Sequence, residues 1–563
     1  MRANTPEIDP ITLEILHNSL KSVTDETYIT ITKAAYSTNI KERRDHSTAI
    51  MDAAGRLIVQ ADNSLPIHLA SMLGLMDKLL AKFPPERIRP GDIFVANDPY
   101  AAGGTHLPDV NLAMPVFAGG TLLGFVCNLA HHADIGGMAP GSMAGGMSEI
   151  YQEGLRIPVV KLFSQGELVQ DILDLLLLNV RVPEERRGDY FAQIAACKLG
   201  ERRMAELLAR YDADLVRGAF DTICDRTEAR IRSAVDGIPD GTYRFRDVLD
   251  NDGMGTENIA IAVTVTVKDR DIRFDFDGTG PQVKGNVNVT LNATQSAVYY
   301  TLKGLLDPDI PNNHGLIRAV EITAPEGSIV NAVFPAAVAG RANTSQRIID
   351  VLIGALAQAL PTRAVAAANG ANTTAVFFGQ DPVRKRPYVY LETLGGGFGG
   401  RATKDGKDGV QVHITNTSNL PVEAIETEYP LMVESYGLIE DSGGAGTHRG
   451  GLGLRRVIRP VGHETVFSGM GERFRHQPWG IFGGGPGKSG RFALRDDNGE
   501  ETPLSDKPNG VAVGPGQALI VETPGAGGYG APEARDSAAL EEDRLSGKFT
   551  PTWFEANYPQ SKS

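Results

Sequence analysis

Cysteine is scarce in this chain. Cys127, Cys197 and Cys224 are the only three among 563 residues, and no two form a Cys-x-x-Cys pair. That excludes a disulfide framework and fits reduced thiols in a cytoplasmic protein. Basic residues are outnumbered, 55 Lys and Arg against 69 Asp and Glu, for a formal net charge of −14 at pH 7. A nucleic-acid partner wants a basic face, so the balance speaks against one. Long apolar runs are missing too. The most leucine-rich stretch, Ile172 to Val180, is broken by Asp174 and is too short to span a bilayer. Residues Met1 to Asp9 are polar, without the basic and then apolar regions of a secretory leader, so neither export nor a membrane is expected.

What remains is ordinary for a soluble globular protein: 42% hydrophobic and 22% charged residues, with length for two to four domain-sized units. Leu13, Leu16, Leu20 and Val23 recur at helical spacing behind Pro10, which predicts a long amphipathic helix over Asp9 to Ser37. A hairpin is expected from Ser47 to Gln60 around the Asp52–Gly55 turn, then a helix from Pro66 to Phe83. Ile93 to Asn97, Ala113 to Phe117 and Leu122 to Ala130 read as strands, the last as a buried one. The Gly- and Met-rich block Gly136 to Gly146 reads as a flexible loop. Helix is expected from Leu168 to about Val235 with a break at Pro183, strands from Gly241 to Phe276, and a helix from Asn343 to Leu360. From Tyr388 onward glycine dominates, as in Leu394-Gly-Gly-Gly-Phe-Gly-Gly400 and Pro524-Gly-Ala-Gly-Gly-Tyr-Gly530. Tight turns between short strands are expected there.

These readings make the fold class α+β, helices mixed with mostly antiparallel strands. The expected parts are 9–235, helix-rich and carrying the candidate site; 236–430, α+β; 431–531, a Gly-rich β region; and 532–563, a short helix and polar tail.

The chemistry concentrates in one stretch. Three of the eleven histidines, His106, His131 and His132, and the aspartates Asp98, Asp109 and Asp134 fall within 38 residues, between Gly-rich turns. Imidazole and carboxylate are the ligands of hydrolytic Zn, Mn or Fe centres. His106 and Asp109, three apart in a Gly/Pro-flanked loop, either point at one ion or close a polar loop on themselves. His131 and His132 follow an apolar strand, so one ring falls on each face: a ligand beside a helper group, or a core histidine beside a surface one. Asp45, behind the basic run Lys41 to Arg44, is a third ligand candidate or a surface charge. Asp98 serves a turn at Pro99. Glu153 is either a general base or a loop residue.

Other motifs fail. Gly483 to Ser489 contains Gly-Lys-Ser, but residue 482, where a phosphate loop needs glycine, is Phe482. Gly395 to Gly400 runs into the charged loop Arg401 to Asp408 rather than a helix. No Gly-x-Ser-x-Gly elbow accompanies a nucleophile set.

The order of these segments resembles the hydantoinase B/oxoprolinase family from about Asp9 to Ala531. The resemblance rests on Asp9-Pro-Ile-Thr-Leu-Glu14, Lys41-Glu-Arg-Arg-Asp-His-Ser47, Gly104-Thr-His-Leu-Pro-Asp109, His131-His-Ala-Asp-Ile-Gly-Gly137, Glu153-Gly-Leu-Arg-Ile-Pro158 and Thr523-Pro-Gly-Ala-Gly-Gly-Tyr-Gly530. It implies the hydantoinase B-type component of an ATP-dependent cyclic-amide hydrolase, opening a carbonyl-phosphorylated hydantoin or lactam inside a hetero-oligomer. The ATP would be bound by a hydantoinase A-like partner. It also implies a divalent transition metal, Zn2+ or Mn2+ with Fe2+ as a further option, on Asp45, His106, Asp109 and His131, with His132 as alternate ligand. His132, Asp134 and Glu153 become the expected proton-transfer groups. A carboxylase component of the acetone or acetophenone type is the runner-up reading, and a non-catalytic scaffold for the hydantoinase A-like partner is the third.

Overall fold

The computed structural model describes residues 8–558; residues 1–7 of the polar N-terminal stretch and 559–563 of the tail lie outside the described residues. The chain opens on α1 (Pro10–Ala34), capped by the Asp9 carboxylate, which accepts from the Thr12 N–H, with Pro10 in the first turn. A short α2 (Thr38–Lys41) leads into the first sheet. Its strands are β1 (His46–Asp52), β2 (Leu57–Gln60), β3 (Ile93–Ala96), β4 (Asp109–Ala118), β5 (Thr121–His131), β6 (Val160–Ser164) and β7 (Glu167–Leu168), with α3 (Leu69–Lys82) inserted after β2. They pair in the order β2-β1-β5-β4-β3-β6-β7. β1, β3, β4 and β5 are buried along almost their whole length, because helices cover both faces.

Three helices follow: α4 (Gln170–Leu178), α5 (Pro183–Leu208) and α6 (Ala213–Val235). Pro183 does separate two helices, and it does so as the first residue of α5. A second sheet, β8 (Gly241–Asn251), β9 (Glu257–Lys268), β10 (Asp271–Asp275) and β11 (Val320–Thr323), is antiparallel except where β10 meets β11. Between and behind it lie α7 (Leu291–Leu306), α8 (His314–Arg318) and α9 (Arg341–Leu356). The change of character after residue 235 coincides with the step from α6 to β8. The apolar core nevertheless runs across it: Phe94 and Phe125 of the first sheet share one cluster with Val263 and Phe274 of the second and Leu302 and Leu352 of the helices.

The Gly-rich part carries β12 (Thr373–Gln380), β13 (Pro387–Leu394), α10 (Val422–Glu428), β14 (Leu431–Leu438), β15 (Leu454–Pro460), β16 (Thr465–Met470), β17 (Arg491–Arg495), β18 (Glu501–Pro503), β19 (Val511–Val513) and β20 (Ala518–Glu522). They sort into two antiparallel sheets, β13-β12-β16-β19 and β14-β15-β20-β17-β18. The chain ends on two short helices, α11 (Ser537–Leu545) and α12 (Pro551–Asn557). Among the described residues no helix is long and apolar enough to cross a membrane.

Two expectations need correcting. The block Gly136 to Gly146 is not a loose loop. Met143 packs among Val376, Val389 and Leu391, and Ala139, Ala144 and Met147 are buried against Ala337. Its small residues permit close packing where composition suggested mobility. The helix expected over Asn343 to Leu360 runs from Arg341 to Leu356, and it is buried on every side although it contains Arg341, Arg347 and Asp350. Those charges are neutralised internally: Arg347 lies 3.3 Å from Glu472, and Arg473 lies 2.6 Å from Asp350 and 2.8 Å from Asp247. The network ties α9 and β8 to the C-terminal sheets.

Glycine in the last region allows backbone-to-backbone contact. A Cβ on Gly525 would stand 1.8 Å from the Ser442 carbonyl oxygen, whereas one on Gly437 would meet nothing within 4 Å. Gly525→Ala is therefore expected to cost about 1–3 kcal/mol or more, and Gly437→Ala to stay within about 0.5 kcal/mol of the parent. Urea denaturation of the two variants beside the parent checks the pair.

Candidate metal centre

Three neighbouring strand ends in the order β1-β5-β4 build the centre of the site. Asp109 opens β4 and is paired directly with His131, which closes β5. Directly opposed residues share a face of the sheet, and His131 Nδ1 lies 3.2 Å from Asp109 Oδ1. Asp45 immediately precedes β1, and its carbonyl accepts the His131 N–H at 2.9 Å. His106 stands one tight turn before β4, its carbonyl accepting the Asp109 N–H, and this places Nε2 3.0 Å from Asp109 Oδ1.

A fifth member went unrecognised in the sequence. His68 ends the short 3₁₀ turn Pro66–His68. Its Nε2 lies 3.6 Å from Asp45 Oδ1 and 3.8 Å from Asp109 Oδ1, and its Nδ1 is 2.8 Å from Ser47 Oγ. The available signal was a histidine inside an otherwise apolar helix start, Leu65-Pro-Ile-His-Leu69. Arg341 was also missed: it pairs with Asp109 Oδ2, and its Nε donates to Thr105 Oγ1 at 2.8 Å.

The donor set suits a cation. Donor atoms of His106, Asp109 and His131 all lie within 4.8 Å of one another. His106 Nδ1 is 3.0 Å from the Ala339 carbonyl, which can only accept. The proton therefore sits on Nδ1, and Nε2 turns a lone pair toward Asp109. Nε2 of both His106 and His131 is buried without a hydrogen-bond partner. Lone pair facing carboxylate in a dry site is unfavourable unless something positive lies between them.

Protonation follows the same logic. Burial pushes His106 down to about 4, helped by Arg341 and opposed by Asp109, and burial lowers His68 against the pull of Asp109 and Asp45. Burial would raise Asp109, but His106, Arg341 and His68 outweigh it and hold the carboxyl well below its ordinary range. Neutral imidazoles beside an ionised carboxylate are the state a metal ion binds.

The remaining sequence candidates are not gathered here. His132 points to the opposite face of the chain, where its Nε2 is 3.0 Å from Gln193 Oε1 and its ring is 4.6 Å from that of Tyr190. Asp134 accepts from the Gly136 and Gly141 N–H groups and from Arg181, closing the packed loop. Asp98 caps the next turn through the Tyr100 and Ala101 N–H groups and pairs with Arg156. Glu153 is fully buried and accepts the Ala339 N–H at 2.7 Å. The peptide unit that it holds is next to the carbonyl that orients His106, so Glu153 stands behind the cluster.

The family model described as hydantoinase B/oxoprolinase matches residues 9–532. A putative D-/L-hydantoinase component from Pseudomonas sp. (strain NS671) is 34% identical, over 97% of this chain and 94% of the relative. An uncharacterized protein of Methanocaldococcus jannaschii is 40% identical, over 95% of this chain and 93% of the relative. The crystal structure of ATP-dependent caprolactamase from Pseudomonas jessenii superposes with a TM-score of 0.92 at 30% identity, over 98% of this chain and 96% of that one.

Burial pushes the Glu153 carboxyl up to about 8 from its ordinary 4.5, against the Ala339 and Val338 N–H groups. An acid with a raised folded pKa binds its proton more tightly folded than unfolded, so stability is lost as pH rises between those two values. Glu153→Gln keeps the acceptor for Ala339 and is expected to remove that slope. Urea midpoints should nearly coincide with the parent at about pH 5 and exceed it at about pH 8.

Proposed function

The chain belongs to the hydantoinase B/oxoprolinase family, and from that premise we propose that it is the ring-opening subunit of an ATP-dependent cyclic-amide hydrolase. The observation that carries the reading is the convergence of His106, Asp109 and His131 on one buried point.

The division of labour has a chemical reason. A hydantoin or lactam amide is a poor electrophile. Phosphorylation of its carbonyl oxygen by an ATP-binding partner subunit makes the carbon electrophilic and turns the oxygen into a leaving group. Water then adds to that carbon, the ring C–N bond breaks as a proton reaches nitrogen, and a second water hydrolyses the resulting acyl phosphate to carboxylate and free phosphate. A divalent Zn, Mn or Fe ion held by His106 Nε2, Asp109 and His131 would supply Lewis acidity and hydroxide at neutral pH.

The protein's own groups do the rest. Arg341 fixes Asp109 from behind, leaving Oδ1 to the imidazoles. Ala339, braced by Glu153, fixes the His106 tautomer. Asp45 is the cluster's partly exposed carboxylate, 11% accessible at its side chain, with His68 at 3.6 Å and Arg43 at 4.0 Å. It is the group placed to take the proton of an entering water, and His68 the group to pass it on. The assignments of His132 and Asp134 as proton carriers are replaced by this pair.

The purified chain should carry about one divalent transition metal, as a mononuclear centre would. His106→Ala and His131→Ala should lose the metal by elemental analysis, and His68→Ala should weaken its binding about 10–100-fold. With a hydantoinase A-like partner and ATP the chain should open cyclic amides, and His106→Ala should not. Turnover of ketone and bicarbonate instead of an amide would make it a carboxylase component. Full activity of His106→Ala would leave a scaffold, and ATP hydrolysis by the isolated chain would overturn the two-component scheme.

A further inference from the structure

The segment that carries His68 has a second side. A cavity of about 330 Å³ touches Pro66 and Leu69, on either side of that histidine, and is closed by α7 and the loop around Gln411. His106, Asp109 and His131 do not line it. Backbone joins the two places: the Ile67 N–H donates to the Ile414 carbonyl at 3.2 Å, which ties the residue before His68 to the residue after His413.

His413 lines this cavity beside Gln411. Its Nε2 lies 3.4 Å from Asp350 Oδ1, and neither atom has another hydrogen-bond partner among the described residues. The second Asp350 oxygen takes Arg473 at 2.6 Å. Burial would raise the Asp350 carboxyl, but His413, Arg473 and Arg347 outweigh it and hold the carboxyl below its ordinary value. An ionised carboxylate only accepts, so the imidazole proton belongs on Nε2 and the lone pair on Nδ1. Nδ1 makes no hydrogen bond among the described residues. A carboxylate behind the ring and a free lone pair on its other side is how a general base is oriented.

The backbone carries the same signal. His413 and Arg473, the two residues that grip Asp350, are buried and have φ of +49° and +61°. Residues other than glycine rarely adopt this left-handed conformation, and such strain gathers where a geometry is held for function.

The donors come from α7. Tyr299, Tyr300 and Lys303 line the same cavity. Neither phenol hydroxyl has a hydrogen-bond partner among the described residues, and the Lys303 ammonium has no ion pair among them. Of the acids around Lys303, Asp62 is committed to Lys21 at 2.8 Å and Asp307 to Arg230 at 2.6 Å. One base and three unspent donors thus share a space of small-molecule size.

Hydrolysis of an acyl phosphate needs a base for water and donors for the phosphoryl oxygens. We propose that this cavity is a second hydrolytic site, in which His413, backed by Asp350, activates water against an acyl phosphate while Lys303 and the two tyrosine hydroxyls hold its phosphoryl group. The proposal rests on the ring-opening reading above and assigns the last step of that reaction to a place apart from the metal. Nδ1 takes one proton from water as the oxygen adds to the acyl carbon. The bond from that carbon to the phosphate oxygen breaks, and phosphate leaves with the electron pair. It takes the proton back from His413 to become hydrogenphosphate, and the new carboxylic acid releases its own proton to solvent.

Acetyl phosphate tests the site on the purified full-length chain, without ATP or partner, through phosphate release above the uncatalysed rate. The parent should turn it over with saturation. His413→Asn keeps a residue that tolerates positive φ and should lower kcat about 100-fold or more, the weight of a positioned base. Lys303→Met should instead raise KM about tenfold or more, the effect of losing one charge-assisted hydrogen bond. Gly304 gives an independent variant: it lines the cavity, and a Cβ there meets nothing within 4 Å. Gly304→Leu should keep the fold, since leucine favours helix over glycine, yet fill the space and abolish turnover.

No turnover by the parent overturns the proposal. So does turnover unchanged in His413→Asn or Gly304→Leu, which would move the reaction to the metal centre. A complex that opens amides while the chain leaves acetyl phosphate untouched would refute the second site alone. His413-dependent turnover in a chain whose complex opens no amide would retain the site and refute the ring-opening reading.

Discussion

The register between β4 and β5 is the constraint on which this site depends. It sets Asp109 opposite His131, and the neighbouring β1 brings Asp45 beside them. A slip of one residue would turn either side chain to the other face of the sheet. The register is protected by burial on both faces, and its irregularity, between Val116 and Phe117, falls at the far end of the pair. Strand ends thus hold Asp109 and His131 more precisely than a loop would.

What the strands position, the surrounding charges make tolerable. One Asp109 oxygen faces three imidazoles while the other is held by Arg341 and Thr105. Such an arrangement is expensive to bury and becomes favourable only when its charges balance. The second layer supports this: Ala339 orients His106, Glu153 braces Ala339, and Ser47 meets both His68 and the Leu65 N–H. The contacts of Ala339 and Arg341 join segments far apart in the chain, so the site forms only when the first sheet and the start of α9 are docked.

The Gly-rich region contributes by close approach. Its glycines let backbones pass where a side chain would collide, and its buried arginines meet acids from other elements, as Arg456 does with Glu392 and Arg473 with Asp350 and Asp247. Through the Arg473 pairs the C-terminal part holds α9 and β8. The part of the chain that looked least chemical thereby holds the helix whose first residue, Arg341, pins Asp109.

Local pattern made much of this readable. The capped, periodic α1, the hairpin of β1 and β2, the buried β5 and the break at Pro183 all follow from neighbours within a few residues, where propensity and hydrophobic period act. The ordered motifs around Asp45, His106, Asp109 and His131 were enough for the family. Tertiary structure alone decided that His132 faces away, that Asp134 closes a packed loop, that Glu153 stands behind His106, and that His68 and Arg341 belong to the cluster. It also decided that α9 carries its charges inside and that Tyr299, Tyr300 and Lys303 meet Gln411 across a cavity. The reason is physical: pairing between charges and lone pairs distant in sequence depends on strand register and helix docking, and no local spacing encodes either.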